Sequence, residues 1–198
     1  MNLTRSRLHP TLRAWAAAAA LCAAAGCGAP HGPATPTGVT VPYSAHGSPG
    51  SAPVQPIDFR HDIHAGKNQI PCLYCHYYAD RSPVANVPAV SVCMNCHKFV
   101  NGSTPEFEQQ IEVLRGYAAR GEPVPWISVY RLPDHAYFNH KRHVRAGLPC
   151  QACHGPVETM PRIYQYASLK MGWCVRCHKA NLRNVRFASS IDCYTCHR

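Results

Sequence analysis

The sequence predicts a mainly α-helical and irregular fold with little or no β-sheet, whose interior is not built from apolar side chains. Three observations predict it. The pentapeptide C-x-x-C-H occurs five times in 198 residues, starting at Cys72, Cys93, Cys150, Cys174 and Cys193. An F-x-H-x-x-H element occurs twice, each time shortly before such a motif. Only one segment has the length and apolar period of a full amphipathic helix, and 18 prolines break up much of the remainder.

C-x-x-C-H is the attachment signature of c-type haem. Its two thiols add to the haem vinyl groups, and the following His becomes the proximal iron ligand. One such motif is a weak signal, because chance or a zinc half-site gives the same string. Five point to a small multihaem cytochrome c with a haem-filled core. The thioether residues are then Cys72, Cys75, Cys93, Cys96, Cys150, Cys153, Cys174, Cys177, Cys193 and Cys196, and the proximal ligands are His76, His97, His154, His178 and His197. The cofactors are five covalently bound haems. These motifs take ten of the twelve cysteines and leave only Cys22 and Cys27, so no pair outside them remains for a structural disulfide in a mature domain.

Residues 1–26 read as an export signal. Arg5, Arg7 and Arg13 form a basic start without an acid, and residues 14–25 are an Ala-rich apolar stretch. That stretch is shorter than the ~20 residues a membrane-spanning helix needs, and its flanks are those of a cleaved signal. Ala24, Ala25 and Gly26 precede Cys27 as small residues precede the lipidated Cys of a bacterial lipoprotein. The expected location is the periplasmic face of the cytoplasmic membrane, with a lipid on Cys27; plain secretion and an uncleaved anchor are the alternatives. Cys22 follows Leu21 and belongs to the apolar stretch.

The formal charge is +10, from 20 basic and 10 acidic residues. Loss of the three signal arginines lowers it to +7. The two propionates on each haem bring the holoprotein to near neutral or acidic, so the basic composition is no argument for nucleic acid. Some Lys and Arg are expected to pair with propionates.

The remaining chain divides by composition. Residues 27–56 are rich in Gly, Pro, Ser, Ala and Thr without apolar period, and read as a flexible tether. Residues 57–103 form a module with two haem motifs, residues 104–125 a connector helix, and residues 126–198 a module with three motifs. Phe59, His61 and His64 start the first module, and Phe138, His140 and His143 recur at the same spacing before the third motif. In the connector Thr104 can cap, Pro105 suits the first turn, and Ser103 with Glu106 has capping-box spacing. Phe107, Ile111, Leu114 and Ala118 share a face, and Gly121 with Pro123 ends the helix. Residues 126–130 read as a short extended piece.

Electron-transfer haems are usually six-coordinate, so five irons need five distal ligands. Eight histidines lie outside the motifs. His9 falls in the signal and His31 and His46 in the tether, which leaves His61, His64, His135, His140 and His143. In H-x-x-H on a helix the two rings project from one face and reach different haems. The alternative is ordinary surface or core histidine, and two such pairs placed just before haem motifs argue against it. His135 stands alone, so Met171, three residues before Cys174, is its rival. A thioether ligand would raise a haem potential, but Met also packs readily on a haem face. Met160 is a remoter candidate, and Met94 lies inside a motif. No nucleophile triad, carboxylate dyad or phosphate loop stands out, so no catalytic residue is assigned and the pattern favours a conductor over an enzyme.

The F-x-H-x-x-H element ahead of C-x-x-C-H resembles class III multihaem cytochromes c. The segments IPCLYCH (70–76), SVCMNCH (91–97), RLPDHAYFNH (131–140), CHGPV (153–157) and MGWCVRCH (171–178) resemble the pentahaem subunit of alternative complex III, a bacterial quinol:electron-acceptor oxidoreductase. The resemblance covers residues 57–198. It implies iron–sulfur, molybdopterin-like and integral membrane subunits as partners, and a monohaem cytochrome c or an oxidase as electron acceptor. Two other readings stay open: a free lipid-anchored carrier, and a reductase with one five-coordinate haem.

Overall fold

A computed structural model describes residues 50–184, 187 and 189–198. The export signal, Cys27, His9, His31, His46 and most of the expected tether lie outside the described residues. Among those described there is no strand; the chain alternates short helices with irregular segments. The helices are α1 (Cys72–Cys75), α2 (Val90–His97), α3 (Pro105–Arg120), α4 (His140–Arg145), α5 (Gln151–His154) and α6 (Met171–Ala180). A π-helical turn spans Asp62–Lys67, and 3-10 turns span Val157–Thr159 and Cys193–Thr195. No described helix is long and apolar enough to cross a membrane.

The connector helix forms as its sequence predicts. Thr104 caps it, accepting from the Phe107 N–H at 3.4 Å, with Pro105 opening the first turn. Ser103 is not the cap; Glu106 bonds the Thr104 hydroxyl instead. Gly121 closes the helix in the left-handed region, φ 66°, where its lack of Cβ makes the conformation cheap. Leu114, on the expected apolar face, is buried with Ile57 and Val124, and Val90, Cys93, Met94, Tyr117 and Trp126 pack around them. This cluster fixes α2, and with it the second haem motif, against α3.

The folded region reaches back to Gly50, into the segment whose composition reads as tether. Gly50 donates to the Gln165 carbonyl at 3.0 Å, and Gln165 donates back to Ser51 at 3.0 Å. The Gln55 amide clamps the Ile127 backbone, donating to its carbonyl and accepting from its N–H, both at 2.8 Å. Residues 126–130 form neither helix nor strand, and Ile127 pairs with this side-chain amide.

Few apolar side chains are buried: among the described residues they are Ile57, Ala79, Leu114, Val124, Met160 and Ala167. A domain of this length ordinarily buries far more of its surface. The composition of the fold suits a large apolar prosthetic group as the bulk of its interior.

Candidate functional site

Each H-x-x-H element is built the same way. The Phe59 ring lies 4.4 Å from His64, nearly parallel, and 4.8 Å from His61, edge-on at 82°. The Phe138 ring lies 4.3 Å from His143 and 4.7 Å from His140, edge-on at 90°. One phenyl thus packs against two imidazoles, one nearly parallel to it and one edge-on. The sequence displayed the two elements as a repeat without revealing this task for Phe59 and Phe138. The backbones differ. His140 and His143 sit on α4, capped by the Asn139 side chain accepting from Arg142 N–H at 3.2 Å. His61 and His64 bracket the start of the π-helical turn, where Asn68 N–H bonds Ile63 O across five residues. Such insertions recur at functional sites.

The first element is held to the connector helix. Asp58 N–H donates to the Gln110 side chain at 2.9 Å, and the Arg60 guanidinium pairs with Asp62 at 2.6 Å while lying 5.7 Å from the Phe107 ring. The second element sits on the segment that follows the first motif. Pro83 O accepts from both the backbone N–H and Nδ1 of His140, at 2.9 and 3.0 Å.

The structure brings the spare histidines opposite the motif histidines. Ring centres are 6.0 Å apart for His64 and His97, 6.4 Å for His140 and His154, 6.1 Å for His143 and His178, and 5.6 Å for His135 and His197. His61 completes the set, close enough to His76 for their charges to interact. Metal–imidazole bonds are about 2.0 Å long, so two on opposite sides of one ion, with half of each ring, place ring centres about 6 Å apart. The four measured separations fit one metal ion between two imidazoles.

Most of these rings also carry the hydrogen bond a ligand needs. Nδ1 faces a backbone carbonyl in His64 (Arg60 O, 2.8 Å), His76 (Asn86 O, 2.9 Å), His97 (Val100 O, 3.1 Å), His140 (Pro83 O, 3.0 Å), His143 (Asn139 O, 2.8 Å), His178 (Ser190 O, 2.5 Å) and His197 (His135 O, 2.9 Å). A carbonyl only accepts, so the proton is on Nδ1 and Nε2 keeps its lone pair for a metal. Asn86 offers its carbonyl from the left-handed region, φ 65°, which Asn tolerates. Among the remaining rings, the buried Nδ1 of His61 has no partner. Burial, with added repulsion from His76 and His64, pushes His61 down to about 4, and burial beside His140 and His76 does the same to His154. Both rings are therefore neutral at pH 7, the form that binds a metal.

Sequence reasoning missed Tyr130. Its ring packs 4.6 Å from His154, and its hydroxyl accepts from Tyr166 N–H at 2.9 Å and reaches Tyr164 O at 3.3 Å. A lone Tyr in a Pro-flanked stretch carries no sequence signal for this. Met171 is 68 % exposed at the start of α6, whereas His135 faces His197. Met160 is buried.

The donor set fits c-type haem. None of the ten motif cysteines is disulfide-bonded, so all keep thiols for thioether attachment. No group of three or more His, Cys, Asp or Glu among the described residues converges on a direct metal site. Paired imidazoles would hold the iron of such a haem, which would supply the rest of the coordination itself.

Residues 136–198 match the family described as cytochrome c7 and related cytochrome c. That stretch is similar to a cytochrome c7-like multihaem domain, a family that implies covalently bound c-type haem and electron transfer. It holds the last three C-x-x-C-H motifs together with α4. No curated protein matches the chain.

Proposed function

We propose that the chain is a pentahaem c-type cytochrome that conducts electrons within a membrane-bound quinol-oxidising complex, toward a periplasmic cytochrome or oxidase. The observation that supports this reading is the facing of four motif histidines by histidines from outside the motifs, in the first module as well as in the matched stretch, with His61 in electrostatic range of His76. Haem, when bound, supplies an iron that takes up and gives back one electron. The chain's own residues do the rest. Ten thiols fix the positions, His76, His97, His154, His178 and His197 hold the proximal side, and His61, His64, His140, His143 and His135 hold the distal side. Two imidazoles per iron would leave no open position for a substrate, which favours conduction over catalysis.

The resemblance of segments 70–76, 91–97, 131–140, 153–157 and 171–178 to the pentahaem subunit of alternative complex III supports placement in such a complex. A lipid on Cys27 would hold the chain at the periplasmic face of the membrane. The test is purification of the full chain from membranes in mild detergent, with haem counted per polypeptide and accompanying subunits identified. Five haems with iron–sulfur and integral membrane subunits are expected. Five haems on a chain that comes away alone would make it a free lipid-anchored carrier. A haem that binds carbon monoxide would make it a reductase.

A further inference from the structure

We propose that the five attachment sites, numbered by their motifs along the chain, follow one another in space as 2, 1, 3, 4, 5. The proposal rests on the reading above that every motif carries a haem. The two modules then join through the first motif of each, and the ends of the row are motifs 2 and 5.

Sites 1 and 2 are neighbours because their distal histidines, His61 and His64, share Phe59. Their motifs also meet: the Asn95 amide of motif 2 reaches the Tyr74 hydroxyl of motif 1 at 3.5 Å, and Cys75 lies within electrostatic range of Cys93 and Cys96. Sites 3 and 4 are neighbours in the same way, through Phe138, with Cys153 close to Cys174 and Cys177. Site 5 adjoins site 4: just before motif 5, the Ser189 hydroxyl donates to the His178 carbonyl at 2.8 Å and the Ser190 carbonyl faces His178 Nδ1 at 2.5 Å.

The junction between modules falls on sites 1 and 3. Cys72 of motif 1 and Cys150 of motif 3 lie close enough to interact. His154 of motif 3 lies in range of His76 of motif 1 as well as of its partner His140. The backbone agrees: His140 and Lys141 donate to Pro83 and Ser82 at 2.9 and 3.1 Å, and Asp62 donates to Met160 at 3.3 Å. Gly66, on the first ligand turn, approaches Glu158 so closely that a Cβ would stand 2.3 Å from its carbonyl oxygen. On its other flank α2, which carries motif 2, is covered by α3. Motif 5 occupies a turn at the surface, with Tyr194 81 % exposed. A row in this order puts donor and acceptor contacts around motif 2 and motif 5, and not at motif 1, the first along the chain.

The test marks sites in pairs on the full-length holoprotein. His61→Ala, His64→Ala and His140→Ala remove the distal ligand at sites 1, 2 and 3, and each should yield a high-spin ferric haem by electron paramagnetic resonance, with five haems still attached. In His61→Ala/His140→Ala the two high-spin signals should broaden and relax faster than the sum of the single variants, because the centres are adjacent. In His64→Ala/His140→Ala they should equal the sum, although motifs 2 and 3 are consecutive in sequence. Any other pattern overturns the order. Single variants that keep five haems and stay low-spin would overturn the ligand pairing, and fewer than five haems in the unmutated protein would overturn the reading beneath it. Should an alanine variant lose haem, methionine at the same position marks the site by a raised potential. Adjacency is then read as a mutual shift in the two marked midpoints, expected for sites 1 and 3 and absent for sites 2 and 3.

Discussion

At the scale of single residues, local chemistry decided what could be read. A thioether signature is covalent and contiguous, so the five motifs stand out from sequence alone. The candidate distal ligands came from elimination among eight spare histidines. Which of them faces which motif was not legible, because His135 and His197, or His64 and His97, meet only through tertiary packing. The choice between His135 and Met171 is settled best by substitution. His135→Ala should convert one haem to high-spin with a shifted potential, while Met171→Leu should leave the electron paramagnetic resonance spectrum of the oxidised protein as it was. A Met171→Leu variant that gains a high-spin signal would show that the exposed thioether is a ligand after all.

At the scale of elements, the connector helix was legible nearly to its ends because it obeys local rules: a Thr cap, Pro at the first position, one apolar face and a Gly stop. The ligand elements were legible as H-x-x-H, but not the π-helical form of the first. Local pattern does not encode a five-residue hydrogen-bond step that depends on packing against another segment. The tether boundary failed for a related reason, since Gln55 is held by Ile127, 72 residues away. Gly66 exposes the packing of the π-helical turn to experiment. Its Cβ would stand 2.3 Å from Glu158 O, a backbone atom that cannot swing aside. Overpacking of this kind costs about 1–3 kcal/mol. Gly66→Ala should therefore lower the thermal midpoint of the holoprotein, whereas Lys67→Ala, an exposed change on the same turn, should stay within about 0.5 kcal/mol. Equal midpoints would mean that this turn does not dock on the 3-10 turn Val157–Thr159.

At the scale of the whole molecule, the absence of an ordinary core was legible from composition. Ten cysteines in attachment motifs and short segments broken by proline cannot make one, and the described residues bury only a small cluster around Leu114. On the proposed ligand set, order would be imposed instead by histidine pairs that join a C-x-x-C-H motif to another segment, as His197 on the last turn faces His135. Such a fold would tie stability to cofactor loading, because each pair would couple two segments through one metal ion. The central claim is that five haems are present and that each is held by two histidines. Electron paramagnetic resonance of the oxidised full-length protein, with haem counted per polypeptide, tests it most directly. The account predicts five haems per chain, all low-spin. Fewer than five haems, or a stoichiometric high-spin signal in the unmutated protein, would contradict it.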